Sequence, residues 1–253
     1  MARHRKPLRY GVPVPMPAQV LADLVTADPT RPVVTFYDDT PGPTQGERVE
    51  LSRKVLANWV AKAANALQEG LDVQPGSVVL LDLPAPHWRL VYWALAVWSV
   101  GATVTLDTHE GADVLVTADP SSPVAEDADE VVVVSLPALA REWTGEPLRT
   151  GHMDEARELP TYADSFTPWD EPEPDDTALV HDGERTAYED VVPEPTWPAG
   201  ARVLVTGESA YDLLRHTLHA LAVGGSLVLV RGSHPAPDED RMRSEGVDLA
   251  ADA

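Results

Sequence analysis

Ser77-Val78-Val79-Leu80-Leu81-Asp82-Leu83, then Pro84-Ala85-Pro86, then an apolar run from His87 to Val100, then Gly101 and Ala102-Thr103-Val104-Thr105-Leu106: this stretch decides the fold class. Its first part is a near-continuous apolar run of strand length, the mark of a strand covered on both faces. The prolines open a helix, Gly101 closes it, and a second apolar strand follows within a few residues. A strand, a helix and a strand through short connections make a parallel, helix-covered unit.

The same rhythm extends outward in both directions. Pro17 opens a helix over 17–28 with Val20, Leu21, Leu24 and Val25 on one face. Val33 to Tyr37 reads as a strand, and Val49-Glu50-Leu51 as a short return strand. Ser52 is placed to N-cap a helix that runs to about Glu69, with Gly70 ending it as a glycine just past the last turn. Downstream, Ala112–Thr117 and Val131–Ser135 read as further buried strands. Tyr162 to Asp176 carries Pro168, Pro172 and Pro174 between acidic residues and reads as a linker, anchored by Phe166 and Trp169. A second series follows: a strand at Thr177–His181, a strand at Arg202–Thr206, a helix at Ala210–Val223, a Gly224-Gly225 turn and a strand at Ser226–Val230. The tail from Met242 forms one more short helix or strand. The expected architecture is α/β, a layered and mainly parallel sheet flanked by helices. Its segments are 1–160, an acidic Pro-rich linker at 161–176, and 177–253, which can pack with the first as one body.

Composition sets limits on chemistry. The 253 residues are 43% hydrophobic, enough for a sizeable core, and contain no Cys, so no disulfide, thiolate metal site or thiol nucleophile exists. Nineteen basic against 41 acidic residues leave a formal charge of −22. Between Asp107 and Asp190 there are 23 acidic residues, four Arg and no Lys. That sign is wrong for nucleic acid and for an anionic membrane surface. It suits a basic partner or, more simply, a solvated face. The basic Met1–Lys6 start is followed by a Pro-rich stretch with no apolar core, so it does not read as a signal peptide. The apolar run Leu90–Leu106 is shorter than the ~20 residues of a bilayer span and is broken by Gly101. A cytoplasmic location is expected.

The order of these signals resembles the N-terminal region of the adenylate-forming (AMP-binding, acyl-CoA synthetase-like) enzymes. Three stretches carry the likeness: Leu51 to Leu83 with its Val73, Pro75-Gly76 turn; Leu90 to Leu106 with Gly101-Ala102; and Arg202 to Ser226 with Gly224-Gly225. The resemblance implies a nucleotide-activating scaffold, and the departures from it matter as much. Members that activate carboxylates have a Gly/Ser/Thr-rich phosphate loop ending Pro-Lys-Gly after a strand preceded by paired acids. Here Asp175-Asp176 and Thr177–Val180 lead into His181-Asp182-Gly183-Glu184-Arg185-Thr186-Ala187-Tyr188-Glu189-Asp190. One Gly remains, Lys is gone, and four carboxylates have entered. Small residues and a Lys let backbone N–H groups and a positive charge converge on phosphate; carboxylates oppose it. Arg185 is the one cation left there. The helical insert of the family is nearly deleted at Asp107–Gly111, and the chain stops before the family's adenine, magnesium, ribose and C-terminal lysine motifs. A shortened bacterial relative fits better than an active member.

The remaining constellations are weighed on their residues. His216 and His219, with Asp212 one turn earlier, could hold a metal, but a helix-surface pair is the stronger reading. Asp107, His109 and Glu110 could do the same, but a polar turn explains them better. Ser209 sits at a strand-to-helix junction, where α/β sheets place ligands; a helix N-cap is preferred over a nucleophile, with Tyr211 beside it on a pocket rim. Trp59, Trp88, Trp93 and Trp98 could line a cleft but suit core packing. No catalytic residue, metal ligand or cofactor is assigned. The expected role is a non-catalytic relative that binds a small molecule or a protein partner. The alternatives are a weak acyl-activating enzyme and a structural subunit completed by another chain. The oligomeric state is left open.

Overall fold

The computed structural model describes residues 15–108, 111–207, 209–232 and 239–251. The basic start and His109 and Glu110 therefore lie outside the described residues. In chain order the elements are α1 (Pro17–Ala27), β1 (Pro32–Asp38), β2 (Arg48–Ser52), α2 (Arg53–Asn65), β3 (Val78–Asp82), α3 (Trp88–Val100), β4 (Thr103–Thr105), β5 (Val114–Thr117), α4 (Pro123–Asp127) and β6 (Glu130–Val133). Then come β7 (Met153–Asp154), α5 (Glu155–Glu158), β8 (Thr177–His181), β9 (Glu184–Ala187), α6 (Tyr188–Val191), β10 (Arg202–Val205), α7 (Ala210–Ala222), β11 (Ser226–Arg231), α8 (Glu239–Glu245) and β12 (Leu249–Ala250).

These strands form two mainly parallel sheets, as the α/β expectation allowed. The first has the order β12-β10-β11-β1-β2, the second β7-β6-β5-β3-β4-β8-β9. All pairings are parallel except β1 with β2 and β8 with β9. Helix α3 is apolar apart from Arg89 and Ser99, and every residue in it but Ser99 is buried. Such a helix belongs inside a core rather than on a face. It packs on α1, α2 and α7 and on β1, β3 and β4, so it touches both sheets. Trp93 and Trp98 are among the largest fully buried side chains, Trp88 is 3% exposed, and Trp59 packs on the core from its edge. The tryptophans are core, with Trp98 Nε1 donating to Ala178 O at 2.8 Å.

Ser52 caps α2 as expected, its hydroxyl accepting from Val55 N–H. Gly70 does not play the part expected of it. A π-helical turn over Ala66–Gly70 extends α2, and the left-handed residue beyond it is Asp72, at φ 52°. Gly70 is needed for space: a Cβ there would stand 2.6 Å from Tyr162 Oη. Tyr162 lies at the start of the 161–176 stretch, just after Thr161, and the stretch runs as a strap over α2. Asn65 Nδ2 donates to Ala163 O and Ser165 O at 3.1 and 2.9 Å. Gln68 donates to Thr167 O and accepts from Trp169 N–H. The helix thus satisfies through side chains the backbone groups that a strand would pair. Each sheet draws strands from both sides of this strap. The 136–158 excursion is held by Glu155, 1% exposed, whose carboxylate accepts from Arg89 at 2.8 Å and from the Tyr92 hydroxyl. Among the described residues no helix is long and apolar enough to cross a membrane.

Candidate functional site

The parallel strands β4 and β8 lie side by side, with Val104 opposite Leu179 and Thr105 opposite Val180. Their carboxyl ends therefore emerge together, at the edge where α/β sheets place ligands. Leu106 N–H continues the pairing to Val180 O at 3.1 Å, and Thr105 Oγ1 accepts from Asp107 N–H at 3.2 Å. These contacts aim Asp107 across the end of β8.

Beyond β8 the chain makes a two-residue hairpin in place of an open loop. His181 pairs with Glu184, and between them Asp182 and Gly183 have φ of 52° and 74°. Two successive left-handed residues are the turn that suits the twist of a tight hairpin, and Asp-Gly is among its favoured pairs. The two turn N–H groups converge, and both are taken by the chain's own carboxylate. Asp107 Oδ1 accepts from Asp182 N–H and Asp107 Oδ2 from Gly183 N–H, each at 2.8 Å. Converging backbone N–H groups of this kind are an anion site. An incoming phosphate would have to displace Asp107 and would face about 1 to 4 kcal/mol of repulsion for each like-charge pair at ~4 Å, depending on solvent access.

His181 completes the cluster. Its ring stacks on Tyr211 at 4.4 Å between centroids. Nδ1 lies 3.8 Å from Asp107 Oδ1 and Nε2 lies 3.6 Å from Asp182 Oδ2. Asp107, His181 and Asp182 each offer a ligating atom, all within 4.8 Å of one another. Tyr211 stands in the first turn of α7, whose N-cap is Ser209: its hydroxyl accepts from Asp212 N–H at 3.1 Å. The cap is the role Ser209 plays here. Next to this cluster is a cavity of about 190 Å³ lined by Trp98, Leu179, Tyr211, Leu214, Arg215 and Leu218, among others. Arg185 lies on β9 opposite Val180, exposed.

The histidine pair on α7 has a structural use. His219 Nε2 accepts from Thr196 N–H at 3.0 Å and from Trp197 N–H at 3.3 Å, with the Trp197 ring stacked on it at 3.9 Å. Burial, with the nearby His216 and Arg215, holds its pKa below the ordinary histidine value, as a nitrogen that must accept requires. That nitrogen is committed to the 196–197 backbone, and Asp212 pairs with Arg215 at 4.0 Å. The structure does not gather the three as a ligand set.

At the carboxyl end of the other sheet a second polar group was not foreseen. Asp38, buried, accepts from Thr44 Oγ1 at 2.8 Å, from Thr40 and from Arg231 at 3.2 Å. Burial alone would raise its pKa, but these donors outweigh it and hold the carboxyl low. His87 lies nearby, its ring 4.6 Å from Phe36 and its Nδ1 accepting from Arg89 N–H as the N-cap of α3. Burial, then the charges of Arg89 and Arg231, push it down to about 3. His87 directly after Pro84-Ala85-Pro86 was the available signal for a cap. For the main site, the Asp-Gly pair between two strand-like runs was the signal for a hairpin.

No protein-family model matches the chain. Among curated proteins, a TIGR03089 family protein of Mycobacterium tuberculosis (strain ATCC 25618 / H37Rv) is 34% identical over 253 residues, covering 93% of this chain and 97% of that one. Among solved structures, an acyl-CoA synthetase of Brucella canis matches with a TM-score of 0.68 at 18% identity, over 95% of this chain and 48% of that one. A fatty acyl CoA synthetase of Mycobacterium tuberculosis matches with a TM-score of 0.64 at 16% identity, over 93% of this chain and 48% of that one. The fold is thus that of the N-terminal region of adenylate-forming enzymes, and the chain spans about half the length of these solved structures.

Proposed function

The chain belongs to the TIGR03089 family, and from that premise we propose that it is a non-catalytic relative of the adenylate-forming enzymes, a module that binds a small molecule or a protein partner without ATP. One observation carries the reading. Where the resemblance to adenylate-forming enzymes implies a phosphate loop, this chain has a two-residue hairpin whose N–H groups already hold Asp107. No Lys stands between residues 177 and 190 to take the phosphate's charge. The cavity beside Tyr211 supports a small-molecule role. Its lining combines apolar Trp98, Leu179, Leu214 and Leu218 with polar Thr186, Asp190, Tyr211 and Arg215, a mix of apolar and polar groups that can hold a ligand. At about 190 Å³ it is smaller than the usual ligand pocket of roughly 300–1,000 Å³ and has room only for a ligand of a few heavy atoms. A protein-partner role is favoured by Trp169, 63% exposed on the acidic strap between Asp164 and Glu173.

The test is pyrophosphate exchange into ATP by the purified chain with a panel of aliphatic and aromatic carboxylic acids. The reading expects exchange at the level of the buffer blank, together with a thermal shift from at least one small molecule. Formation of an acyl-adenylate with any acid would sink it.

A further inference from the structure

We propose that Asp107, His181 and Asp182 form a divalent-cation site, at the hairpin where the resemblance to adenylate-forming enzymes implies a phosphate loop. The three groups come from two separate elements, the end of β4 and the tip of the β8–β9 hairpin, and their ligating atoms lie within 4.8 Å of one another. Ligand atoms around a four-coordinate ion with bonds of 2.0–2.1 Å sit about 3.3 Å apart. Side-chain movement of about 1–1.5 Å, with the exposed Asp182 carboxylate turning from the Nε2 edge of His181 toward Nδ1, would close the site. Two carboxylates and a neutral imidazole present a charge of −2, matched to a divalent ion, in a chain whose net charge is −22.

A second observation points the same way. In the His181 side chain, 33% exposed overall, the Nδ1 atom itself is out of contact with solvent and makes no hydrogen bond. It faces Asp107 Oδ1 at 3.8 Å, too far for a hydrogen bond and close enough for one ion between them. Buried polar atoms are normally satisfied, and an orphan is a place to look for a missing ion. The supports that metal ligands need are also present. Two backbone N–H groups orient the Asp107 carboxylate, and Tyr211 fixes the plane of the imidazole. One nitrogen and two oxygen ligands suit Zn²⁺, Co²⁺ or Mn²⁺ rather than a soft monovalent ion.

The test uses the full chain in nucleotide-free buffer, so its outcome is independent of whether ATP binds. Co²⁺ is titrated by visible absorption and Zn²⁺ by calorimetry. One site of micromolar affinity is expected, with a Co²⁺ d–d band. His181→Phe keeps the ring stack on Tyr211 and removes the ligand, so it should lose the band and bind at least about 10-fold more weakly. Asp182→Asn tolerates the left-handed turn and should weaken binding by a similar factor. His216→Ala, on the other histidine pair, should bind as the wild type does. Equal affinity in wild type and in folded His181→Phe, or no binding by either, overturns the proposal.

Discussion

Replacing Asp107 by Ala tests the hairpin arrangement at its root. The wild-type carboxylate accepts two backbone N–H bonds at 2.8 Å. Hydrogen bonds to a charged group contribute about 1.5–3 kcal/mol each. The side chain is 17% exposed and the turn lies at the surface, so water recovers part of that loss for the freed N–H groups. A net cost of about 2–3 kcal/mol remains. For a chain of this length the unfolding entropy gives about 2 °C per kcal/mol, so Tm should fall by ~4–6 °C. Calorimetry gives the magnitude. Hydrogen exchange gives the location, because the amides of Asp182 and Gly183 should lose protection while those of β3 and β5 do not. Asp107→Asn should fall between, since its amide offers one acceptor and turns a donor toward the other N–H. An unchanged Tm with unchanged protection at 182 and 183 would refute the claim that this carboxylate holds the turn.

Three further perturbations probe the scaffold. Folding keeps His87 neutral with a pKa of about 3, so below its ordinary value of 6.5 the unfolded chain binds the proton first and stability falls with pH. From pH 6.5 to pH 5 this one residue should remove about 2 kcal/mol, and in His87→Asn, which keeps an N-cap, that part of the pH slope should vanish in denaturant titrations. Asn65→Ala removes both bonds to the strap; a loss of about 2 kcal/mol is expected, with faster proteolysis within 161–176. Gly70→Ala sets a Cβ 2.6 Å from Tyr162 Oη and should cost about 1–3 kcal/mol, much of it recovered by Tyr162→Phe, with the coupling read from a double-mutant cycle.

Local pattern was sufficient for the long apolar elements and insufficient for the site and for the short elements β7, β9, α4, α5 and α6. The apolar periodicity of 17–28 and the runs at 78–82 and 226–230 report burial directly, so α1, β3 and β11 are legible from neighbours in sequence. Ser52 and Ser209 were legible as caps because a cap bonds within three residues. Asp107 was legible only as a polar turn residue, because its partners are 75 and 76 positions away and depend on the β4–β8 register. The division into two sheets was hidden for the same reason: β1 pairs with β11, across nearly the whole chain. The strap read as a linker because proline and acidic residues make no strand, and its bonds come from Asn65 and Gln68, about 100 residues upstream. Two buried amides spaced three apart at the end of an apolar helix were the clue it left.

Under the proposed function, Asp107 occupies the turn N–H groups that a phosphate would need. Calorimetric titration of the purified protein with Mg²⁺-ATP and with AMP, each to millimolar concentration, tests this most directly. No saturable heat is expected from either nucleotide. Stoichiometric binding of ATP or AMP with a micromolar Kd would contradict the proposed function.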